Sequence, residues 1–228
     1  MPIRIAINGF GRIGRVTARL LQDRTDIELV AVNDLTDNLT LAHLYKYDSI
    51  HGVFQGEVGH DAEHLILGGK KVKAFAEKDP TNLPWGKLGI DVVIECTGHF
   101  LTRESAGAHL KAGAKKVVLS APAKDADIKS VVLGVNEHIL EASDTMVSNA
   151  SCTTNCAAPM IMGIHELCGI EDGFITTVHS YTGDQRLHDA PHKDLRRARA
   201  AAASMIPTTT GAAKAITRIF PELEGRLG

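Results

Sequence analysis

The opening 34 residues constrain the fold more than any other stretch. Ile3-Arg-Ile-Ala-Ile-Asn8 is an apolar run of strand length that leads directly into Gly9-Phe10-Gly11-Arg12-Ile13-Gly14. The residues that follow predict a helix to about Gln22. A second apolar run, Ile27-Glu-Leu-Val-Ala-Val-Asn33, ends at Asp34, which places an acid twenty positions after Gly14. Each part of this order has a physical use. Glycines at the turn let a diphosphate approach the N–H groups of the helix N-terminus, where the dipole favours negative charge. An acid at this spacing suits the hydroxyls of an adenosine ribose, and its charge would repel a 2′-phosphate. A glycine triplet alone occurs often by chance. Strand, glycines, helix, strand and acid in sequence predict a dinucleotide-binding unit with Gly9, Gly11, Arg12, Ile13, Gly14 and Asp34 at an NAD site.

The alternation continues to about residue 150. A helix is expected over Asn38 to Tyr47, a loop over residues 51–56, and a hairpin over residues 64–75 around Gly68-Gly69. Asp91 to Cys96 reads as a buried strand ending in Thr97-Gly98, Arg103 to about Ala112 as a helix, and Lys116 to Ser120 as a further strand. This is an α/β pattern that predicts a Rossmann-type doubly wound parallel sheet. Thr97, Gly98 and Ser120 then fall at C-terminal strand ends, where such sheets bind ligands, although each taken singly reads as ordinary turn chemistry.

A second feature carries chemistry. In Ser151-Cys152-Thr153-Thr154-Asn155-Cys156, a short strand over residues 145–149 precedes, and Met160, Ile161, Ile164 and Leu167 follow at helical spacing. Cys152 is expected in the first turn of that helix, with Ser151 as N-cap. A thiol there faces unpaired N–H groups and the positive end of the dipole, which lower its pKa from about 8.5. Read alone, Cys152 would be a buried structural thiol, as most free cysteines are. Ile175-Thr-Thr-Val-His179-Ser-Tyr-Thr182 shifts the balance, because a strand-like run there ends on a histidine placed to act as a base. Cys156 reads as packing.

Composition narrows the class. A chain of 228 residues has room for one large domain or two smaller ones. Its 25 basic and 27 acidic side chains leave a formal charge of −2, so charge gives no argument for nucleic acid or membrane. The N-terminus shows no signal-peptide pattern and no apolar run is long enough to span a bilayer, so a cytoplasmic location is expected. The cysteines at 96, 152, 156 and 168 lack metal-ligand spacing, and no metal is expected. Asp184 to Ala203 is rich in Arg, His and Lys, and most of these charges read as a solvated face.

Four segments together are similar to the phosphorylating glyceraldehyde-3-phosphate dehydrogenases: Ile7-Asn-Gly-Phe-Gly-Arg-Ile-Gly-Arg15, Ala150-Ser-Cys-Thr-Thr-Asn-Cys156, His179-Ser-Tyr-Thr182 and Pro207-Thr-Thr-Thr-Gly-Ala-Ala-Lys214. The order is the family's, and the likeness covers essentially the whole chain. It implies oxidation of glyceraldehyde 3-phosphate, coupled to uptake of inorganic phosphate and reduction of NAD, with Cys152 as nucleophile and His179 as its base. It further implies anion contacts at Ser151, Thr153, Thr182, Thr210 and Gly211, a phosphate-binding arginine at Arg197 or else Arg196, and cofactor contacts at Lys78 and Ser120. A homotetramer is implied for the full-length protein. Two domains follow, an NAD-binding domain over 1–150 and, over 151–228, the first part of an α+β catalytic domain that the family continues well beyond Gly228.

Two positions depart from the family pattern. Ala190-Pro191 stands where NAD-specific members tend to have Leu-Pro, and Lys78 where an arginine is frequent. Some tolerance of NADP is compatible with the first. Two other readings remain open from sequence: the related erythrose-4-phosphate dehydrogenase, and a nucleotide-binding module without a complete active site.

Overall fold

Ile3–Asn8 forms β1 because its alternating side chains are wanted on both faces of a sheet: Ile5, Ala6, Ile7 and Asn8 are all buried. The computed structural model describes all 228 residues, which divide into two compact units, Met1–Ser151 and Cys152–Gly228. In the first, α1 (Arg12–Leu20) buries Gly14 and Ala18, exposes Arg12 and leaves Arg15 and Arg19 half-buried. It returns the chain to β2 (Ile27–Asn33), which pairs parallel to β1. Asp37 caps α2 (Asn38–Lys46) by accepting the Thr40 N–H at 2.9 Å. The expected loop at 51–56 contains one side of a two-residue ribbon, β3 (Tyr47–Asp48) with β4 (Gly52–Val53). Then follow β5 (Val58–His60), β6 (His64–Leu67) and β7 (Lys70–Phe75). The turn between β6 and β7 is the expected Gly68-Gly69, with φ of 62° and 78°.

Next come β8 (Val92–Glu95), α3 (Arg103–Lys111), β9 (Lys116–Leu119), β10 (Lys129–Ser130) and β11 (Met146–Ser148). Thr102 and Ser105 close a capping box on α3. The strands form one nine-stranded sheet in the order β10-β11-β9-β8-β1-β2-β7-β6-β5, parallel except at the last two pairings, where β6 alone runs in the opposite direction. Ile7 and Val32 lie in one apolar cluster with Phe10, Tyr45 and Leu67, while Ala6 and Ala31 lie in another with Trp85, Ile90 and Val93. Neighbouring residues of one strand thus feed opposite faces, which makes the sheet doubly covered. The strand order reverses direction between β1 and β8. In open α/β sheets that switch point is where a ligand crevice opens.

Residues 152–228 are built differently. α4 (Cys152–Cys168) begins at the cysteine, as expected, and packs on the short α5 (Ala212–Ile216). Its buried positions are Thr154, Ala157 and Ala158, whereas Met160, Ile164 and Leu167 of the apolar stripe are exposed. The strand expected over Ile175–His179 does not form. Ile175 and Thr177 are half-buried and Phe174, Thr176 and Val178 exposed, so the alternation of an extended segment is present. What is missing is a ladder: the only bridge joins Gly173 to Leu227, and the last backbone bond runs from the Ile175 N–H to the Gly228 carbonyl at 2.8 Å. A strand is defined by paired neighbours, and a periodic side-chain pattern does not supply them.

Candidate functional site

In residues 1–151 the ends of β1, β2, β7 and β8 surround a cavity of about 390 Å³ lined by Asn8, Gly9, Gly11, Asn33, Asp34, Leu35, Glu77, Lys78, Cys96, Thr97, His99 and Phe100. Of the predicted cofactor contacts, Gly9, Gly11, Asp34 and Lys78 line it. Arg12, Ile13 and Gly14 form the first turn of α1 directly behind Gly11, and Ser120 follows the neighbouring β9. The glycines have distinct reasons. A Cβ on Gly9 would stand 2.7 Å from the Thr97 nitrogen and 2.8 Å from the Cys96 carbonyl carbon, at a φ of +90°. A Cβ on Gly14 would meet the Gly9 oxygen at 2.2 Å. Gly11, by contrast, has nothing within 4 Å, and α1 has neither a side-chain cap nor an acid in its first turn. Open space over uncapped helical N–H groups is what a diphosphate requires, so these residues fit NAD.

Asp34, predicted for the ribose, makes structural bonds of its own. One carboxylate oxygen accepts the Phe10 N–H at 2.8 Å and the other the Thr36 N–H at 3.0 Å, tying the end of β2 to the glycine turn. Arg15 adds a second tie through the Phe10 carbonyl at 3.0 Å. Each Asp34 oxygen keeps a lone pair for a ligand. Sequence reasoning passed over Asn8, Asn33 and Glu77. A polar residue closing each of two apolar strands was the available signal.

In residues 152–228, Cys152 Sγ lies 3.3 Å from His179 Nε2. The other ring nitrogen, Nδ1, is 2.6 Å from the Ser180 carbonyl and can only donate to it, which leaves Nε2 as the acceptor facing the thiol. The imidazole beside it, and then the Thr153 N–H, hold the Cys152 thiol below its ordinary value against the opposing effect of partial burial. This is the arrangement of an activated nucleophile. The other thiols differ. Burial pushes Cys96 up to about 11. Cys156, expected to pack, is exposed: the buried face of α4 is centred on Thr154, Ala157 and Ala158, and position 156 lies off it. One backbone irregularity precedes the nucleophile, since Ala150 is buried with a φ of 56° and is the only non-glycine residue at positive φ.

Two family models match the chain: the NAD binding domain of glyceraldehyde 3-phosphate dehydrogenase over residues 3–103, and the C-terminal domain of the same family over residues 151–228. The chain is 57% identical over all its 228 residues to the glyceraldehyde-3-phosphate dehydrogenase of Geobacillus stearothermophilus, of which it covers 68%. It is 56% identical to that of Clostridium pasteurianum, over 98% of this chain and 67% of the other, and 59% identical to that of Thermotoga maritima, over 95% and 65%. The chain belongs to the glyceraldehyde-3-phosphate dehydrogenase family. It spans about two thirds of the length of these relatives.

The remaining residues expected from this family are distributed around the thiol–imidazole pair along the chain. Ser151 immediately precedes α4, and Thr153 donates its N–H toward Cys152. Thr182, three residues after His179, sits in a turn held by Gln185, whose Oε1 accepts the Thr182 N–H at 2.7 Å. Arg197 is half-buried and paired with Asp184, while Arg196 is more exposed and bonded to Asp194 at 3.4 Å. Thr210 accepts the Ala212 N–H at 3.2 Å, and with Gly211 it opens α5. The structure thus brings Cys152 and His179 together directly and engages Arg197 with an acid of its own loop. No helix is long and apolar enough to cross a membrane.

Proposed function

We propose that this chain carries the glycolytic activity of its family: oxidation of glyceraldehyde 3-phosphate, with inorganic phosphate and NAD, to 1,3-bisphosphoglycerate through a thioester on Cys152. The single observation that carries this reading is the Cys152 Sγ to His179 Nε2 distance of 3.3 Å in a chain of this family. His179 Nε2 takes the thiol proton as sulfur adds to the aldehyde carbon, forming a hemithioacetal. The imidazolium, steadied by the Ser180 carbonyl at Nδ1, then donates a hydrogen bond to the developing oxygen charge. Bound NAD supplies the hydride acceptor. The resulting thioester is opened by a phosphate oxygen, and the Cys152 thiolate departs, which regenerates the nucleophile and conserves the oxidation as an acyl phosphate.

NAD is assigned to Gly9, Gly11, Arg12, Ile13, Gly14, Asp34, Lys78 and Ser120. The open Gly11 position and the uncapped α1 support that assignment. Ser151, Thr153, Thr182, Arg197, Thr210 and Gly211 are assigned to the two phosphates. For Arg197 this role requires its guanidinium to share or exchange Asp184 for the anion. We place the NAD-binding domain at 1–150 and the catalytic segment at 151–228, and assign the protein to the cytoplasm as a homotetramer. The test is phosphate-dependent NADH formation from glyceraldehyde 3-phosphate, with erythrose 4-phosphate as comparison. Cys152→Ser should reduce it to background while NAD still binds; equal turnover by the serine variant would refute the thioester route.

A further inference from the structure

The mechanism above makes no use of a buried acid in the first unit. Glu95, the last residue of β8, is 1% exposed and lies outside the cavity lining, yet it receives four donors. Asn8 Nδ2 donates to Oε2 at 2.6 Å, and the Thr97 N–H donates to Oε1 at 2.7 Å alongside the Thr97 hydroxyl. The fourth is His109 Nε2, at 3.1 Å from Oε2. Its role is set by Trp85, whose indole N–H can only donate and lies 3.0 Å from His109 Nδ1. The ring proton is therefore on Nε2 and points at Glu95.

The chain of bonds runs on from Asn8. Asn33 Nδ2 donates to Asn8 Oδ1 at 2.7 Å and to the Glu77 carbonyl at 2.9 Å, and Asn33 Oδ1 accepts the Glu77 N–H at 2.8 Å. On the other side, Thr97 Oγ1 accepts the His99 N–H at 3.0 Å. Asn8, Asn33, Glu77, Thr97 and His99 all line the cavity and come from the ends of four different strands. An acid buried this deeply is costly, and an apolar residue of similar size would give a cheaper core. What an apolar residue could not do is set the turns after β1 and β8 in one register.

We propose that Glu95 is a positioning residue for the nicotinamide dinucleotide: it fixes Asn8 and Thr97, and through them the cavity wall, and it couples that wall to Trp85 by way of His109. The inference rests on the cofactor reading given above. It also makes Trp85, the one tryptophan of the chain, a reporter of the cavity at which it does not stand.

Two measurements test it on this chain. The first follows the single indole N–H cross-peak of the unaltered ¹⁵N-labelled protein during titration with NAD, and the peak should move as NAD saturates. The second compares NAD dissociation constants by calorimetry for the unaltered chain and Glu95→Gln, whose amide would face donors with a donor. Binding should weaken about tenfold. If Glu95→Gln fails to fold, the indole peak decides. NAD binding with an unmoved indole peak, or a Glu95→Gln chain that binds NAD as the unaltered one does, would overturn the positioning role alone. Absence of NAD binding to the unaltered chain would overturn the cofactor reading and this inference with it.

Discussion

Residues 1–151 hold their functional groups at the ends of paired strands, whereas residues 152–228 hold theirs on one helix end and a run of loops. Asp34, Asn8 and Thr97 stand at strand ends whose neighbours are registered by ladders on both sides and cross-tied by side chains. His179 is fixed by its own neighbour, through the Ser180 carbonyl, and by Cys152. Many of the large apolar side chains of the second region are exposed, with Phe174 at 93% and Val178 at 90%. Position in the first region therefore comes from the sheet, and in the second from local bonds. Loss of one side chain should accordingly act on chemistry in the second and on stability or affinity in the first.

After loss of the Cys152 nucleophile itself, the largest effect is expected at His179. His179→Asn removes the acceptor at Nε2 and the imidazolium that would follow, and turnover should fall by about 10²–10⁴-fold, the usual contribution of a general base. The same change should raise the pH at which Cys152 becomes reactive. A lowered thiol pKa means that alkylation of the unaltered protein begins below the range of an ordinary thiol, and the His179 hydrogen bond is its first cause. Rates of iodoacetamide labelling against pH measure this directly. An identical profile in the two proteins would break the assignment.

Next in size is Gly9→Ala, which tests the first region by stability. The added carbon meets backbone atoms of Cys96 and Thr97 below 3 Å and must be carried at a positive φ. We expect a loss of about 2–4 kcal/mol from strain and overpacking together. Urea unfolding of the chain reads it, and an unchanged midpoint would mean that β1 and β8 are less closely held than the comparison requires.

Asp34→Asn should weaken NAD by about ten- to a hundredfold, because a hydrogen bond to a charged group contributes roughly 1.5–3 kcal/mol. It should also lower discrimination against NADP. Since the amide of asparagine can still occupy the position between Phe10 and Thr36, part of the clasp remains, and calorimetry with both cofactors separates affinity from specificity. Equal NAD affinity would remove Asp34 from the ribose.

How far the sequence could be read differs between the regions for the same reason. Gly9 through Gly14 and Asp34 were legible because local pattern and ladder agree: each apolar run became a strand with two neighbours, and the Gly68-Gly69 turn closed its hairpin. The buried bonds of Glu95 were not, since Trp85, His109 and Asn8 are far apart in sequence and only the topology brings them to one acid. In the second region the start of α4 at Cys152 was legible from Ser151 and the helical spacing. The strand at Ile175–His179 was not, because the pattern is local while pairing depends on a neighbour.

The smallest effect is expected at Cys156, and it sharpens the comparison by holding position nearly constant. Cys156 lies one helical turn beyond Cys152 and is likewise exposed, so access alone does not distinguish the two thiols. Only Cys152 stands at the helix start with an imidazole 3.3 Å away. If local bonds make the nucleophile, Cys156→Ser should leave turnover within about twofold, since a surface substitution away from such features typically shifts energies by no more than about 0.5 kcal/mol. Limited alkylation followed by peptide mapping should then mark Cys152 first, with the exposed Cys156 and Cys168 later and the half-buried Cys96 last, because its thiol is pushed up to about 11. Preferential marking of Cys156 or Cys168 would show that exposure outweighs the bonds at Cys152, and the distinction drawn between the two regions would fail at its most local point.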